Sequence, residues 1–335
     1  MGPTTGTTMA EPRVQSAVPA NSADSTVSTV SAVKPAKRPH RFARMGGQLN
    51  ALWSEFRQSK LALIGLVLFL AIAALAVFAP WIAPQNPYDL AQLDLSDSQL
   101  PPLAHASMGS HIYWLGTDDQ GRDMLSAILF GMRTSLYVSL ACTVLALVIG
   151  VALGLVGAFY GRKVDALIMR LADIQLSFPS ILIALVFIAA FGKGVDKIIY
   201  ALVLVQWAVY ARTARGSALV ELRKEYVEAA RCLKLSDTRI IFRHVLPNCV
   251  PPLLVVATVQ MATTISLEAT LSFLGLGLPI TEPSLGLLIS NGYNYLLSGS
   301  YWISVFPGVA LLLLMLCLNL MADRLRDVLN PRLKK

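Results

Sequence analysis

The stretch Arg215-Gly-Ser-Ala-Leu-Val-Glu-Leu-Arg-Lys-Glu-Tyr-Val-Glu-Ala-Ala-Arg-Cys-Leu-Lys-Leu-Ser-Asp-Thr-Arg-Ile-Ile-Phe-Arg-His-Val-Leu-Pro247 is an island of charge between two long hydrophobic segments. Leu219, Leu222, Tyr226, Ala230 and Leu233 recur at offsets of three and four, which predicts one face of a helix. Glu221, Lys224, Glu225, Glu228 and Arg231 fill much of the remainder, with Lys224–Glu228 and Glu228–Arg231 within reach of one another. Ser236 before Asp237 reads as a new N-cap, so a second short helix is expected from Asp237 to Val245, ending before Pro247. A helix–turn–helix this small, wedged between membrane spans, has too little surface to be a domain. It reads as a plug for a socket on another protein. The competing reading is an amphipathic helix resting on lipid headgroups, but those carry mainly basic polar faces and this one mixes acids with bases.

With 55% hydrophobic residues in 335 and a mean hydropathy of +0.59, the chain is too apolar for an ordinary soluble protein. Spans of about 20 apolar residues explain the excess. The four cysteines (Cys142, Cys232, Cys249, Cys317) lie in apolar segments or in the charged loop, none at metal-ligand spacing, so neither a disulfide framework nor a metal site is expected. His40, His105, His111 and His244 are scattered.

Residues 1 to about 33 are rich in Ser, Thr, Ala, Val and Pro, and are expected to be disordered. Lys34, Lys37, Arg38, Arg41 and Arg44 form a basic run suited to a topogenic flank that touches anionic lipid. No cleavable signal peptide is expected, because the first apolar run starts only at Leu61. That run, about 61–83, closes in Pro80-Trp81-Ile82-Ala83-Pro84 and is the first predicted span. A long polar connection follows, holding Trp114-Leu-Gly-Thr-Asp-Asp-Gln-Gly-Arg-Asp123. There Thr117 or Asp118 is expected to cap a short helix, Gly121 to relax a turn, and Arg122 to pair with Asp119 or Asp123. Three acids in six residues do not match a calcium loop, and a structural role is favoured.

Further spans are expected at about 136–159, 174–191, 198–215, 249–278 and 302–322. Gly150, Gly154, Gly157 and Gly161 line one face of the second, a small-residue stripe for close helix packing. Pro179 lies near the start of the third, a tight turn covers Lys193 to Lys197, and Gln206 sits inside the fourth. Pro251 and Pro252 occupy the first turn of the fifth, where missing amide donors cost little. A short helix is expected within 284–297. With the N-terminus inside, 24 of the 28 Lys and Arg residues fall on the cytoplasmic side, leaving only Arg122, Arg133, Lys193 and Lys197 outside. Six spans with both termini cytoplasmic satisfy the positive-inside rule. The net charge of +8 is thereby explained by topology, and nucleic acid is not an expected partner.

Glu228-Ala229-Ala230 followed by Leu246-Pro247 resembles the EAA loop of the permease subunits of ATP-binding-cassette importers. Glu225-Tyr-Val-Glu-Ala-Ala-Arg231, Phe242-Arg-His-Val-Leu-Pro-Asn248, the Trp114–Asp123 segment and Glu268-Ala-Thr-Leu-Ser-Phe-Leu-Gly-Leu-Gly277 resemble the branch that imports di- and oligopeptides, or nickel in some members, and specifically the C-type permease of its pair. The resemblance covers roughly residues 45 to 330. Two positions depart from the pattern: Lys234 stands where a glycine is usual, so the turn after the motif is expected to differ, and Leu285 stands where Trp is usual.

The resemblance implies an all-α integral membrane protein with the type I importer permease fold. Its transport domain would be residues 134–323, preceded by a first span and external loop (45–133) and flanked by cytoplasmic tails at 1–44 and 324–335. It implies a multi-pass protein of the bacterial inner membrane forming half of a translocation path for di- or oligopeptides. The implied partners are a homologous second permease, two ATP-binding subunits, an extracytoplasmic solute-binding protein and membrane lipid. ATPase docking would fall to Tyr226, Val227, Glu228, Ala229, Ala230, Leu233 and Lys234, with Tyr226, Ala229, Ala230 and Leu233 as the apolar contact. No phosphate loop is present, since Gly192-Lys193 lacks the upstream Gly and the following Ser or Thr, so this chain is not expected to be an enzyme or to bind a cofactor. ATP and Mg would sit on the partner subunits.

Glu268 is the acid deep in a hydrophobic run, costly there unless paired or wetted. It and Gln206 are the pathway or gate candidates, and for Glu268 three readings stand: a helix-packing hydrogen bond, a gate residue near the docked binding protein, and a contact to a substrate ammonium. Nickel, or another small solute such as glutathione, is the alternative cargo. A secondary transporter is the alternative of another class, although it needs inverted repeats and midplane ion ligands that are not visible.

Overall fold

In the computed structural model, residues 54–89, 91, 93–107, 110–279 and 282–329 are described. Residues Gly46–Lys335 form one compact unit, whereas Met1–Met45, with the expected disordered tail and its basic run, lies outside the described residues. Helix α1 (Lys60–Val77) starts where the Ser59 hydroxyl accepts the Ala62 N–H at 3.3 Å. The short α2 (Ala79–Ile82) follows, with Pro80 in its first turn, where no intrahelical amide is needed.

A polar lobe separates α2 from α3 (Met124–Tyr160) and contains a small antiparallel pair, β1 (Ala104–His105) and β2 (Ile112–Tyr113). Asp97 is its centre. Its carboxylate accepts the Ser107 N–H at 2.8 Å and the Tyr113 O–H at 2.9 Å. Burial raises the Asp97 pKa, but the hydrogen bonds from Ser107 and Tyr113 outweigh it and hold the carboxyl below its ordinary value. Two local expectations are corrected here. Asp123, rather than Thr117 or Asp118, is the cap: it accepts the Ser126 N–H at 2.8 Å and opens α3. Arg122 pairs with Asp118 at 2.6 Å rather than with Asp119 or Asp123, because the Asp118 carboxylate also receives the Arg122 and Gln120 amides across the turn. Gly121 does take the left-handed conformation (φ 74°) that the tight turn demands.

After α3 come α4 (Arg162–Ser177), α5 (Ser180–Phe191), α6 (Val195–Glu221) and α7 (Glu225–Cys232). Then follow α8 (Asp237–Phe273), α9 (Leu285–Tyr293) and α10 (Trp302–Leu329). The span expected at 174–191 is not one straight helix. Pro179 forces Phe178 into extended backbone (φ −97°, ψ 145°), and α4 meets α5 at 92°. The turn expected at Lys193–Lys197 shrinks to residues 192–194, since α6 begins at Val195. Asp237–Val245 does not stop before Pro247. It continues into α8 through a π-helical segment, Ile241–Val245, in which the Leu246 N–H reaches the Ile241 carbonyl five residues back. That wider turn makes room for Pro247, which has no amide to donate and a ring that crowds the preceding turn. The last helix likewise runs past 322 to Leu329, and Arg324, expected in the tail, donates from it to the Glu55 carbonyl at 2.6 Å.

Among the described residues four helices, α1, α3, α8 and α10, are long and apolar enough to cross a membrane, and the bent pair α4–α5 makes a fifth if counted as one span. At 27 residues α6 is about 40 Å long, sufficient to cross, but Gln206, Arg212 and Arg215 interrupt its apolar run.

In lipid, apolar burial alone gives helices little reason to associate, so close backbone packing must hold them. The predicted stripe supplies it in part. A Cβ on Gly150 would sit 2.5 Å from the Trp207 carbonyl oxygen, and one on Gly154 would sit 2.9 Å from the Ala214 Cβ, so α3 and α6 run parallel in backbone contact. Gly161 does not belong to the stripe. It closes α3 in a left-handed conformation (φ 60°) with open space around its α-carbon. Buried residues of α1, α3, α9 and α10, among them Ala76, Phe130, Leu285 and Ile303, form a second packed region.

Two measurements check this account. Gly154→Ala is expected to lower stability by about 1–3 kcal/mol through overpacking, whereas Gly216→Ala on α6, where nothing lies within 4 Å, is expected to be neutral or mildly stabilising; thermal denaturation in detergent compares them. For Asp97, a folded pKa below the unfolded value of about 3.9 means its contribution is complete above that pH and is lost as pH falls through the folded value. The native chain should therefore melt about 2–4 °C above Asp97→Asn at pH 7, and the gap should narrow as the pH falls below the ordinary carboxylate value of about 3.9.

Candidate functional site: a cytoplasmic-type loop clamped to two long helices

The charged loop is built on the ends of α6 and α8. Its first helix does not run unbroken from Leu219 to Leu233 as the periodicity predicts: α6 ends at Glu221, and Lys224, in extended backbone, starts α7. The break reassigns the charges. Lys224 bonds to Glu221 at 2.6 Å instead of Glu228, which makes none of the ion pairs found among the described residues. Arg231 instead lies over the Phe159 ring, 5.7 Å from its centroid, and ties α7 to the end of α3.

The break also rotates α7. Val227 (0% exposed) and Ala230 (4%) pack inward against Leu155, Ala214, Ile241 and Cys249, so neither is available to a partner. This corrects the expectation that Val227 and Ala230 face a socket. Glu228, Ala229, Leu233 (75% exposed) and, from the π segment, Phe242 (62%) form the outward face. Phe242 was missed because period-counting stopped at the loop's midpoint. Tyr226 is turned: its ring is partly exposed, but its hydroxyl points back to the helix ends, donating to Glu221 at 2.5 Å and accepting from Asn248 at 3.1 Å. Burial first, and then the Glu221 carboxylate, push the Tyr226 pKa up to about 12.

Lys234 occupies the left-handed position (φ 54°). Its N–H bonds to the Arg231 carbonyl at 2.8 Å and the Leu235 N–H to the Ala230 carbonyl at 3.2 Å, the paired closure that ends helices and favours glycine at this place. The turn was expected to differ because of the lysine, yet it keeps this form, at a local conformational cost.

The two pathway candidates lie deep in the bundle. Glu268 is fully buried and receives the Ser135 hydroxyl of α3 and the Ser272 hydroxyl of α8, both at 2.8 Å. Gln206 of α6 donates to Thr264 of α8 at 2.5 Å. Neither meets the other or the loop in a common site. Asp165 of α4 holds Arg215 of α6 through two guanidinium nitrogens, Nε and Nη2, and Asp173 holds Arg212 at 2.6 Å.

Residues 146–335, more than half the chain, match the family of binding-protein-dependent transport system inner membrane components. The chain belongs to this family. Residues 47–102 of this permease match a second family, the N-terminal membrane domain of oligopeptide transport permease C. It is 38% identical over 286 residues to the di/tripeptide transport system permease protein DppC of Pseudomonas aeruginosa, covering 85% of this chain and 93% of that one. It is 40% identical over 287 residues to the dipeptide transport system permease protein DppC of Escherichia coli (86% and 94%), and 35% identical to its namesake in Haemophilus influenzae (86% and 96%). A solved structure titled as the MetNI methionine transporter in inward-facing form is similar at TM-score 0.48 and 23% identity over 61% of this chain and 97% of that one, a likeness too loose to add to the sequence relatives.

The permease is thus a multi-pass, mostly helical inner-membrane component of a transport system, and it works as one part of a larger assembly. Its loop geometry gives a direct check. Lys234→Gly should stabilise the permease by about 1 kcal/mol, because glycine takes the left-handed position without the Cβ penalty; a higher melting temperature with unchanged assembly is the expected result, and a lower one would show that the lysine side chain holds the turn.

Proposed function

We propose that this permease is one of two homologous but distinct permease subunits of a peptide importer, and that its cytoplasmic loop receives the force of separate ATPase subunits. The observation that carries the reading is the split of α7: Val227 and Ala230 anchor it inside the chain, while Glu228 and Ala229 on the same short helix, and Leu233 at its C-cap, are exposed. An apolar contact flanked by a carboxylate that makes no ion pair among the described residues suits a socket with a polar or basic rim. The names of the relatives, which specify dipeptide and di/tripeptide transport, support the cargo class.

In this reading the ATPase subunits hold ATP and Mg and close around nucleotide, drawing the docked loop with them. The loop moves α6 and α8, and the cavity between the two permeases turns from the cytoplasm toward an extracytoplasmic binding protein. Six spans with both termini cytoplasmic complete the topology, counting α5 with its bend and α6 with its interrupted apolar run. Glu268, with both oxygens held by serines, acts as a packing bond between α3 and α8. Gln206 does the same between α6 and α8.

Co-purification from the native host tests the docking. The tagged permease should bring down two ATPase subunits and a second permease, and Glu228→Arg should lose the ATPase subunits while keeping the second permease. Recovery of all partners with Glu228→Arg, at native yield, would sink the docking role; uptake that persists without ATP would reject the importer itself.

A further inference from the structure

Tyr226, Glu221 and Asn248 belong to three different elements, and their side chains meet at one point. Tyr226 lies on α7, Glu221 is the last residue of α6, and Asn248 is in the first turn of α8 after the π segment. The Tyr226 hydroxyl donates to the Glu221 carboxylate at 2.5 Å, much closer than its 3.4 Å approach to the His244 carbonyl. One Asn248 amide hydrogen donates to the Tyr226 oxygen at 3.1 Å, and the amide also reaches the His244 carbonyl at 2.7 Å, inside the π segment. Lys224 closes the ring by holding the other Glu221 oxygen at 2.6 Å. Glu221 is 9% exposed, so its charge lies in partly low-dielectric surroundings, where charge-assisted hydrogen bonds are short and strong.

We infer that Tyr226 is a positioning residue, a clasp that fixes the docking loop to α6 and α8 together so that movement at the loop is passed to both helices. The inference rests on the docking reading above and adds the element that transmits the force. Three features give the clasp this role rather than that of a local brace. First, α7 is joined to α6 and α8 only through non-helical backbone: an extended residue, Lys224, precedes it and a left-handed one, Lys234, follows it. The apolar packing of Val227 and Ala230 is non-directional, and a directed hydrogen bond is what fixes the rotation of so short a helix about those two joints. Second, the Tyr226 hydroxyl bridges the joint at Lys224 from within, spanning α6 to α8 through one oxygen. Third, Asn248 satisfies a carbonyl of the π segment, where regular bonding is already altered and a helix can pivot at low cost. Burial and the neighbouring carboxylate keep Tyr226 protonated through the physiological range, so the donor is permanent.

The test uses the whole complex, purified from the native host with its binding protein and reconstituted in vesicles. The readout is the ratio of ATP hydrolysis with and without saturating binding protein, a signal that has to cross the spans and the loop. Tyr226→Phe, which removes one oxygen and keeps the ring, and Asn248→Leu, which removes the other arm, should each retain the ATPase subunits and lower the ratio by about fivefold or more. Glu221→Gln keeps an acceptor for the tyrosine and should restore most of the native ratio. A native ratio in Tyr226→Phe overturns the clasp, and so does loss of the ATPase subunits from both variants, which would make the network part of the loop's fold. Absence of ATPase subunits from the native preparation would instead refute the docking reading, a separate result visible before any variant is assayed.

Discussion

Backbone contact between α3 and α6 is the constraint from which the rest of the architecture follows. Gly150 and Gly154 remove the side chains that would keep the two helices apart, and the Trp207 and Ala211 backbone of α6 fills the space. In lipid that closeness substitutes for the hydrophobic driving force that water supplies to a soluble core. Because the two helices run parallel, one end of the pair carries the polar lobe on α3, and the other carries the charged loop on α6. The spacing of everything attached to these ends is inherited from that contact.

A buried polar group is costly unless it finds a partner, because neither lipid nor a packed interior will supply one, and two of those inside the bundle find theirs on a neighbouring helix. Glu268 meets Ser135 and Ser272, and Gln206 meets Thr264. The Ser135 bond joins α8 to α3 and the Gln206 bond joins it to α6, while Ser272 holds the Glu268 carboxylate from within α8, so α8 is fastened to the parallel pair by hydrogen bonds where that pair is fastened to itself by packing. At the loop end the same helices are tied again, through Val227 and Ala230 in the core and the Tyr226 oxygen above it. A short helix held so firmly on its inner side is free to offer only its outer one.

Much of this was legible in the chain. The apolar runs, the glycine stripe, the charged island and the asymmetry of Lys and Arg are one-dimensional records of a bilayer, which imposes length, polarity and sidedness residue by residue. Hidden were the places where two signals overlapped. Lys224 sits within a helical period that runs unbroken from Leu219 to Leu233, so periodicity carried the helix through a residue that in fact starts a new one. Pro247 and Pro179 looked alike as punctuation. One is absorbed by a π turn, and the other holds the preceding residue extended and bends its segment by 92°.

The sequence by itself determined that this is a multi-span membrane protein with a charged loop between its long helices, because hydropathy and charge are read by the membrane locally. Only the tertiary structure decided which loop residues face inward. Ala229 and Ala230 are identical in composition and adjacent in sequence, yet one is exposed and the other buried. The choice is set by how α7 is rotated against α6 and α8, and that rotation is fixed by contacts with residues far along the chain, Leu155, Ile241 and Asn248 among them.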